Sequence, residues 1–255
     1  MSRPEACILG NSHIVAIRDG WPCVPSFADL WEPTFFSIPS NLMAELRLEN
    51  KRLIPHDLRA SNMLETTSGG LAYVEVSRFG LFLLAGMFIH FRRILNIYRT
   101  HAMDAASAGV RDLISPAAVA AVAEAQIRAS SAYHVTILLR EVTAAPILLL
   151  PEPLVSETVL TLPAERSRWT DPSIAATHEI YMDVVLRLFS TLNVRVCQQP
   201  EATLASGVFT KAGFSAGAVR ILKNRTYKPG EDVYHMNGDY GAAALGNCRH
   251  EAAPG

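Results

Sequence analysis

Cys7-Ile8-Leu9-Gly10-Asn11-Ser12-His13 is the stretch that decides the fold. Three apolar residues run into a glycine and a small polar pair, and an apolar-periodic segment with Ile14, Val15 and Ile17 follows. This is the pattern of a buried strand that ends in a tight turn and opens a helix. A serine in such a turn sits where unpaired backbone N–H groups and the positive end of the helix dipole favour negative charge. Three jobs suit it: nucleophile, phosphate ligand or helix N-cap.

The same grammar repeats along the chain. Thr34 to Ile38 is β-rich and closes at Pro39-Ser40-Asn41. Phe79 to Ile89 is a continuous apolar run, as expected of a central parallel strand covered on both faces, and it ends in Gly86-Met87-Phe88-Ile89-His90. Ala145 to Leu150 is a further buried strand, broken by Pro151-Glu152-Pro153, and Val194 to Cys197 is the last. Ser115-Pro116 opens a long helix that continues towards Leu139, and Asp171-Pro172 caps another with Tyr181, Val184, Val185, Leu188 and Phe189 on one face. Arg47 to Gly70 reads as a loop or weak hairpin, and Glu201 to Gly230 as a long stretch rich in small residues.

Strands alternating with helices predict a mostly parallel sheet of about five strands between two helical layers, an α/β/α sandwich. One domain over residues 1–248 with a frayed tail at 249–255 is expected. Ligands of such sheets bind outside the carboxyl ends of the strands, which puts the turns at Ser12, Ser40, Gly86, Pro151 and Pro200 on one rim.

Composition narrows the function. Of 255 residues, 49% are apolar and 18% charged, so a sizeable core can be buried. A formal net charge of -1 with no Lys/Arg-rich run argues against nucleic acid or an anionic membrane as partner. Phe79 to Ile89, the most apolar run, is roughly half the length that spans a bilayer. No basic region followed by an apolar core opens the sequence, and a cytoplasmic protein is expected. Cys7, Cys23, Cys197 and Cys248 lie far apart with no C-x-x-C pair, which predicts free thiols in a reducing compartment. His56, His101, His134 and His178 show no metal-ligand spacing.

Near the other end stands Asp232-Val233-Tyr234-His235-Met236-Asn237-Gly238-Asp239-Tyr240-Gly241. An acid and a histidine three apart in a turn can meet through the imidazole, with Asp232 holding Nδ1–H and Nε2 left free to face a nucleophile. That is the orienter and base of a hydrolytic triad. Asp239 is the competing acid. D-x-x-H alone is a weak signal; joined to a serine at the end of the first strand it becomes much sharper.

The blocks Ile8-Leu9-Gly10-Asn11-Ser12-His13 and Asp232 to Gly241 resemble the first and last signatures of the SGNH/GDSL hydrolases, and the Tyr240-Gly241 pair resembles a bacterial subgroup. The resemblance implies a flavodoxin-like three-layer fold and an esterase that removes an O-acyl group, such as acetyl, from a carbohydrate or small ester. It also implies Ser12 as nucleophile with Asp232 and His235 completing the triad, and no metal or organic cofactor. Two middle blocks depart from that family: Ile38-Pro39-Ser40-Asn41 lacks its glycine, and Gly86 to His90 lacks its asparagine. Ser40, Asn41, Gly86, His90 and Asn237 are the candidates for the oxyanion and substrate side of the site. His90 has a second reading, as the start of a solvent-facing helix with Arg92 and Arg93, and Asn237 a second reading as a turn former. The departures also leave room for a silent binding domain of this fold, and an O-acyltransferase would use the same triad.

Overall fold

In a computed structural model of the chain, residues 3–39, 41–104, 109, 111–219 and 232–248 are described. Five strands form the central sheet: β1 (Glu5–Gly10), β2 (Glu32–Ser37), β3 (Leu81–Ala85), β4 (Ile147–Leu150) and β5 (Arg195–Val196). All are parallel, in the spatial order β5-β4-β3-β1-β2, so the chain reverses its direction of winding between β1 and β3. That reversal opens a crevice at the carboxyl ends of these two strands, where ligands of such sheets bind. Ser12 and Gly86 lie there.

The pleat divides the core into two layers. Ala6, Ile8, Leu81, Leu83, Leu148 and Leu150 face one side, and Cys7, Leu9, Phe82, Leu84, Ile147 and Leu149 the other. The first side is covered by α1 (Ile14–Gly20) and the last helix. The second is covered by α2 (Leu58–Ser68), α3 (Pro116–Arg128), α4 (Ser131–Arg140) and α5 (Ile174–Ser190). Each fully buried Leu or Ile contributes about 1.5–3 kcal/mol, so the sheet is anchored mainly by this two-sided burial. Among the described residues, no helix is long and apolar enough to cross a membrane.

Four local features differ from the sequence reading. The segment from Ser115 to Leu139 is two helices, because Ser130 adopts an extended conformation and its hydroxyl caps α4 by accepting the Tyr133 N–H at 3.2 Å. Within 47–70, a hairpin (Arg47–Glu49 with Arg52–Ile54) turns through Asn50-Lys51, both at positive φ, and is followed by the eleven-residue helix α2. Asp57 caps α2 through the Ala60 N–H at 2.7 Å, and Gly69 ends it at φ 82°. The central strand β3 stops at Ala85, because Gly86, Met87 and Phe88 all take positive φ (75°, 51° and 69°). Finally, Cys197 and Cys248 are not free thiols: they form a disulfide across Cα atoms 5.7 Å apart, and only Cys7 and Cys23 remain unpaired. Residues 220–230 of the long small-residue stretch, and the tail 249–255, lie outside the described residues.

The last helix, α6 (Gly238–Asn247), docks on α1 with their backbones in contact. A Cβ on Gly20 would overlap the backbone of Ala242, and one on Gly241 the carbonyl of Ala16. Both helices therefore approach more closely than any side chain would allow. This contact brings the two ends of the sequence signature together.

Candidate active site

Ser12 lies in the turn between β1 and α1. Its Oγ is 2.7 Å from His235 Nε2, and no side chain caps α1. His235 Nδ1 lies 3.0 and 2.9 Å from the two Asp232 oxygens. A carboxylate only accepts, so Nδ1 carries the proton and the lone pair of Nε2 receives the Ser12 hydroxyl. Asp232 Oδ1 also accepts the backbone N–H groups of Tyr234 and His235, each at 3.2 Å, so the D-x-x-H turn is closed by its own acid. The acid and base are mostly buried, with side chains 15% and 14% exposed. Asp239 is exposed in the first turn of α6, and the imidazole is paired with Asp232.

The remaining predicted site residues fare differently. Asn237 is a scaffold residue. Its Oδ1 caps α6 through the Tyr240 N–H (3.1 Å), and its Nδ2 donates to the carbonyls of Gly213 and Ala216 at 2.9 and 3.0 Å. With both ends of the amide used in this way, the turn-former reading holds. Asn41 opens a 3₁₀ turn over Leu42–Glu45, and its buried Oδ1 has no partner among the described residues. Ser40 lies outside the described residues. Gly86 is at the rim: a Cβ on it would sit 2.7 Å from Asn11 Oδ1 and 3.1 Å from His13 Cδ2. Glycine is needed there for both φ and space.

His90 is the N-cap residue of the 3₁₀ helix Phe91–Arg99, which exposes Arg93, but its own side chain is turned inward. Its side chain is 10% exposed, and its Nε2 points to Glu152 Oε2 at 3.8 Å. Burial, only partly offset by Glu152, pushes its pKa down to about 4, so the ring is neutral at neutral pH.

Glu152 itself is the residue that sequence reasoning missed. Lodged between two prolines after β4, its side chain is 4% exposed and receives Asn11 Nδ2, Phe88 N–H and Arg92 Nη2 at 3.0, 3.2 and 2.8 Å. His13 Nε2 lies 3.4 Å from its Oε2. Burial alone would raise this carboxyl; His13 first, then His90 and Arg92, hold it well below the usual carboxylate range. The signal in the sequence was an acid between two prolines at the carboxyl end of an apolar strand, on the rim where ligands bind.

The His13 imidazole is therefore turned to Glu152 and not to the Ser12 hydroxyl. Its ring stacks on that of His235, centroids 5.0 Å apart and 18° from parallel.

Two solved structures align with nearly all of the chain. One is the extracellular lipase of Streptomyces rimosus, with TM-score 0.50, 13% identity and coverage of 98% of this chain and 99% of that one. The other is phospholipase A1 from Streptomyces albidoflavus NA297, with TM-score 0.50, 12% identity and coverage of 99% and 100%. No family model matches the sequence, and neither does any curated protein. At these identities the likeness is one of fold.

Proposed function

We propose that this chain, whose fold is that of the SGNH hydrolases, is a serine ester hydrolase acting on an O-acyl group of a carbohydrate or other small ester. The observation that carries the reading is the unbroken relay from Ser12 Oγ through His235 to Asp232, at 2.7 and 2.9 Å. His235 Nε2 takes the Ser12 proton as Oγ attacks the ester carbonyl carbon. Asp232 holds the imidazole in the required tautomer and stabilises the imidazolium. The imidazolium then protonates the departing alcohol, leaving an acyl-serine. Water, losing a proton to His235, attacks the acyl carbon, and Ser12 leaves with the proton from His235.

The oxyanion is assigned to the Ser12 backbone N–H at the start of α1, where the helix dipole adds to the donor. Met87 or Phe88 stands where the resembling family places a side-chain amide, and the Phe88 N–H is committed to Glu152. That substitution favours, as the second reading, a binding domain of the same fold with little turnover. A missing oxyanion donor costs about 3–4 kcal/mol in comparable hydrolases, so slow turnover is expected even under the first reading. The Cys197–Cys248 disulfide supports an oxidising compartment in place of the cytoplasm expected from the sequence.

Purified protein, Ser12→Ala and His235→Ala are compared on short-chain aryl esters and with a fluorophosphonate probe. Turnover and labelling in the wild type alone support the triad. Equal turnover in all three sinks it, and a folded wild type that binds ligand without labelling favours the silent domain.

A further inference from the structure

A buried carboxylate needs a reason. Removing charge from water costs several kcal/mol per ion, and a buried ion pair is a poor device for stability alone. Glu152 spends its two oxygens on three other segments of the chain, and each supports a different part of the site. Oε1 accepts Asn11 Nδ2 (3.0 Å), and Asn11 Oδ1 in turn accepts the His13 N–H (3.2 Å), so the residues on either side of Ser12 are tied down. Oε1 also accepts the Phe88 N–H (3.2 Å). Phe88 ends the run of three positive φ angles packed against Asn11 and His13. Non-glycine residues persist there only when their surroundings over-determine them. On its other side this turn is held by the Ser131 hydroxyl and the Ala132 N–H, which donate to Met87 O at 3.1 and 3.2 Å. Oε2 faces Arg92 (2.8 Å) and His13 Nε2 (3.4 Å). The result is a second acid–imidazole pair, Glu152–His13, stacked on Asp232–His235.

We propose that Glu152 is a positioning residue for the hydrolytic reaction: through Asn11 it fixes the turn that aims Ser12, through Phe88 it fixes the turn beside it, and through His13 it orients and electrostatically supports His235. The inference rests on the serine-hydrolase reading above. Charge matters as well as geometry. When His235 becomes imidazolium, a negative group behind the stacked His13 ring lowers the cost in a site shielded from water. A glutamine would keep the Oε1 acceptor but turn an NH₂ towards Arg92 and His13. Among the described residues, the charged and titratable groups facing this pair include Asp232, His13, His90, Arg92 and Tyr181.

The experiment uses Glu152→Gln and His13→Phe, the latter keeping a ring against His235 while removing the nitrogen near Glu152, with Ser12→Ala as reference. Measured are kcat and KM on an aryl ester, the pH profile of kcat/KM, the fluorophosphonate labelling rate and the melting temperature. Glu152→Gln is expected to lower kcat and the labelling rate by about ten- to a hundredfold with KM within about twofold, since small displacements of reacting groups cost that much. The acid limb of its profile moves to lower pH, because losing a nearby negative charge disfavours the imidazolium. His13→Phe is expected to lower kcat with KM retained.

A folded Glu152→Gln with wild-type kcat and acid limb, or one altered in KM alone, overturns the proposal. If Glu152→Gln does not fold, a wild-type kcat in His13→Phe overturns it. Turnover that survives in Ser12→Ala, or a wild type that neither turns over nor labels, removes instead the reading beneath it.

Discussion

Gly241→Ala tests whether the α1–α6 contact sets the distance between Ser12 and His235. The new Cβ would overlap the Ala16 carbonyl, a backbone atom that no rotamer change can move aside. Restoring van der Waals separation pushes the helices apart by roughly 1 Å or more. Overpacking of this kind costs about 1–3 kcal/mol, against a gain of about 1 kcal/mol from replacing a helical glycine by alanine. The net cost of up to about 2 kcal/mol, at about 2–4 °C per kcal/mol for a chain of this size, should lower the midpoint of thermal unfolding by up to about 8 °C. The same retreat carries His235 away from Ser12, opening the 2.7 Å contact, and a displacement of about 1 Å costs turnover on the order of a hundredfold. Gly246→Ala is the control: it lies on the same helix with nothing within 4 Å of its Cβ. It should raise the midpoint by about 2–4 °C and leave turnover unchanged. The assay is a melt followed by circular dichroism, alongside ester turnover. If Gly241→Ala melts at or above the wild type, close packing is not the constraint; if it melts lower with full turnover, helix docking does not place the base.

Three further outcomes follow from the geometry. His90 is neutral when folded down to pH about 4 but titrates near 6.5 when unfolded, so the unfolded chain binds the extra proton between those values. Stability relative to His90→Gln should therefore fall by up to about 1.4 kcal/mol per pH unit as pH drops from 6.5 to 4, measured by urea unfolding; parallel curves would refute the burial argument. Arg92→Met leaves the Glu152 charge without its 2.8 Å partner and removes the guanidinium stacked 4.3 Å over the Tyr234 ring. It should cost about 3 kcal/mol in urea unfolding at neutral pH, and a loss below about 1 kcal/mol would show that the other donors suffice. Thiol titration of the denatured protein should count two free cysteines without reductant and four with it; four in both would refute the disulfide.

What was legible in the sequence was whatever local pattern alone dictates. The apolar run Phe79 to Ile89 reads as a strand buried on both faces, and its Leu81–Ala85 part is one; the strand-to-helix turn at Ser12 and the turn before α6 carry their own small and polar residues. What was not legible depended on partners distant in sequence. The break at Ser130 is hidden because apolar periodicity continues through both helices, and only the hydroxyl cap separates them. Helix α2 is polar enough to pass for a loop, although Asp57 and Gly69 mark its ends. The disulfide spans 51 residues and needs α6 to dock before its cysteines meet. Glu152 is the sharpest case. An acid after a strand is normally a solvated one, and its burial is possible only because Asn11, Phe88 and Arg92 arrive from three other segments.

The contact between Ser12 and His235 spans 223 residues of chain. A pair so far apart is expected to form late in folding, since the entropy of closing so long a loop must be met by the intervening sheet and helices first. A nascent chain thus carries Ser12, the nucleophile of the proposed mechanism, from the first strand onward, yet holds no His235 against it until α6 is synthesised and seated on α1. Reactivity is in this way deferred to the completion of the fold. Under the proposed reading, turnover depends on the seating of that one helix.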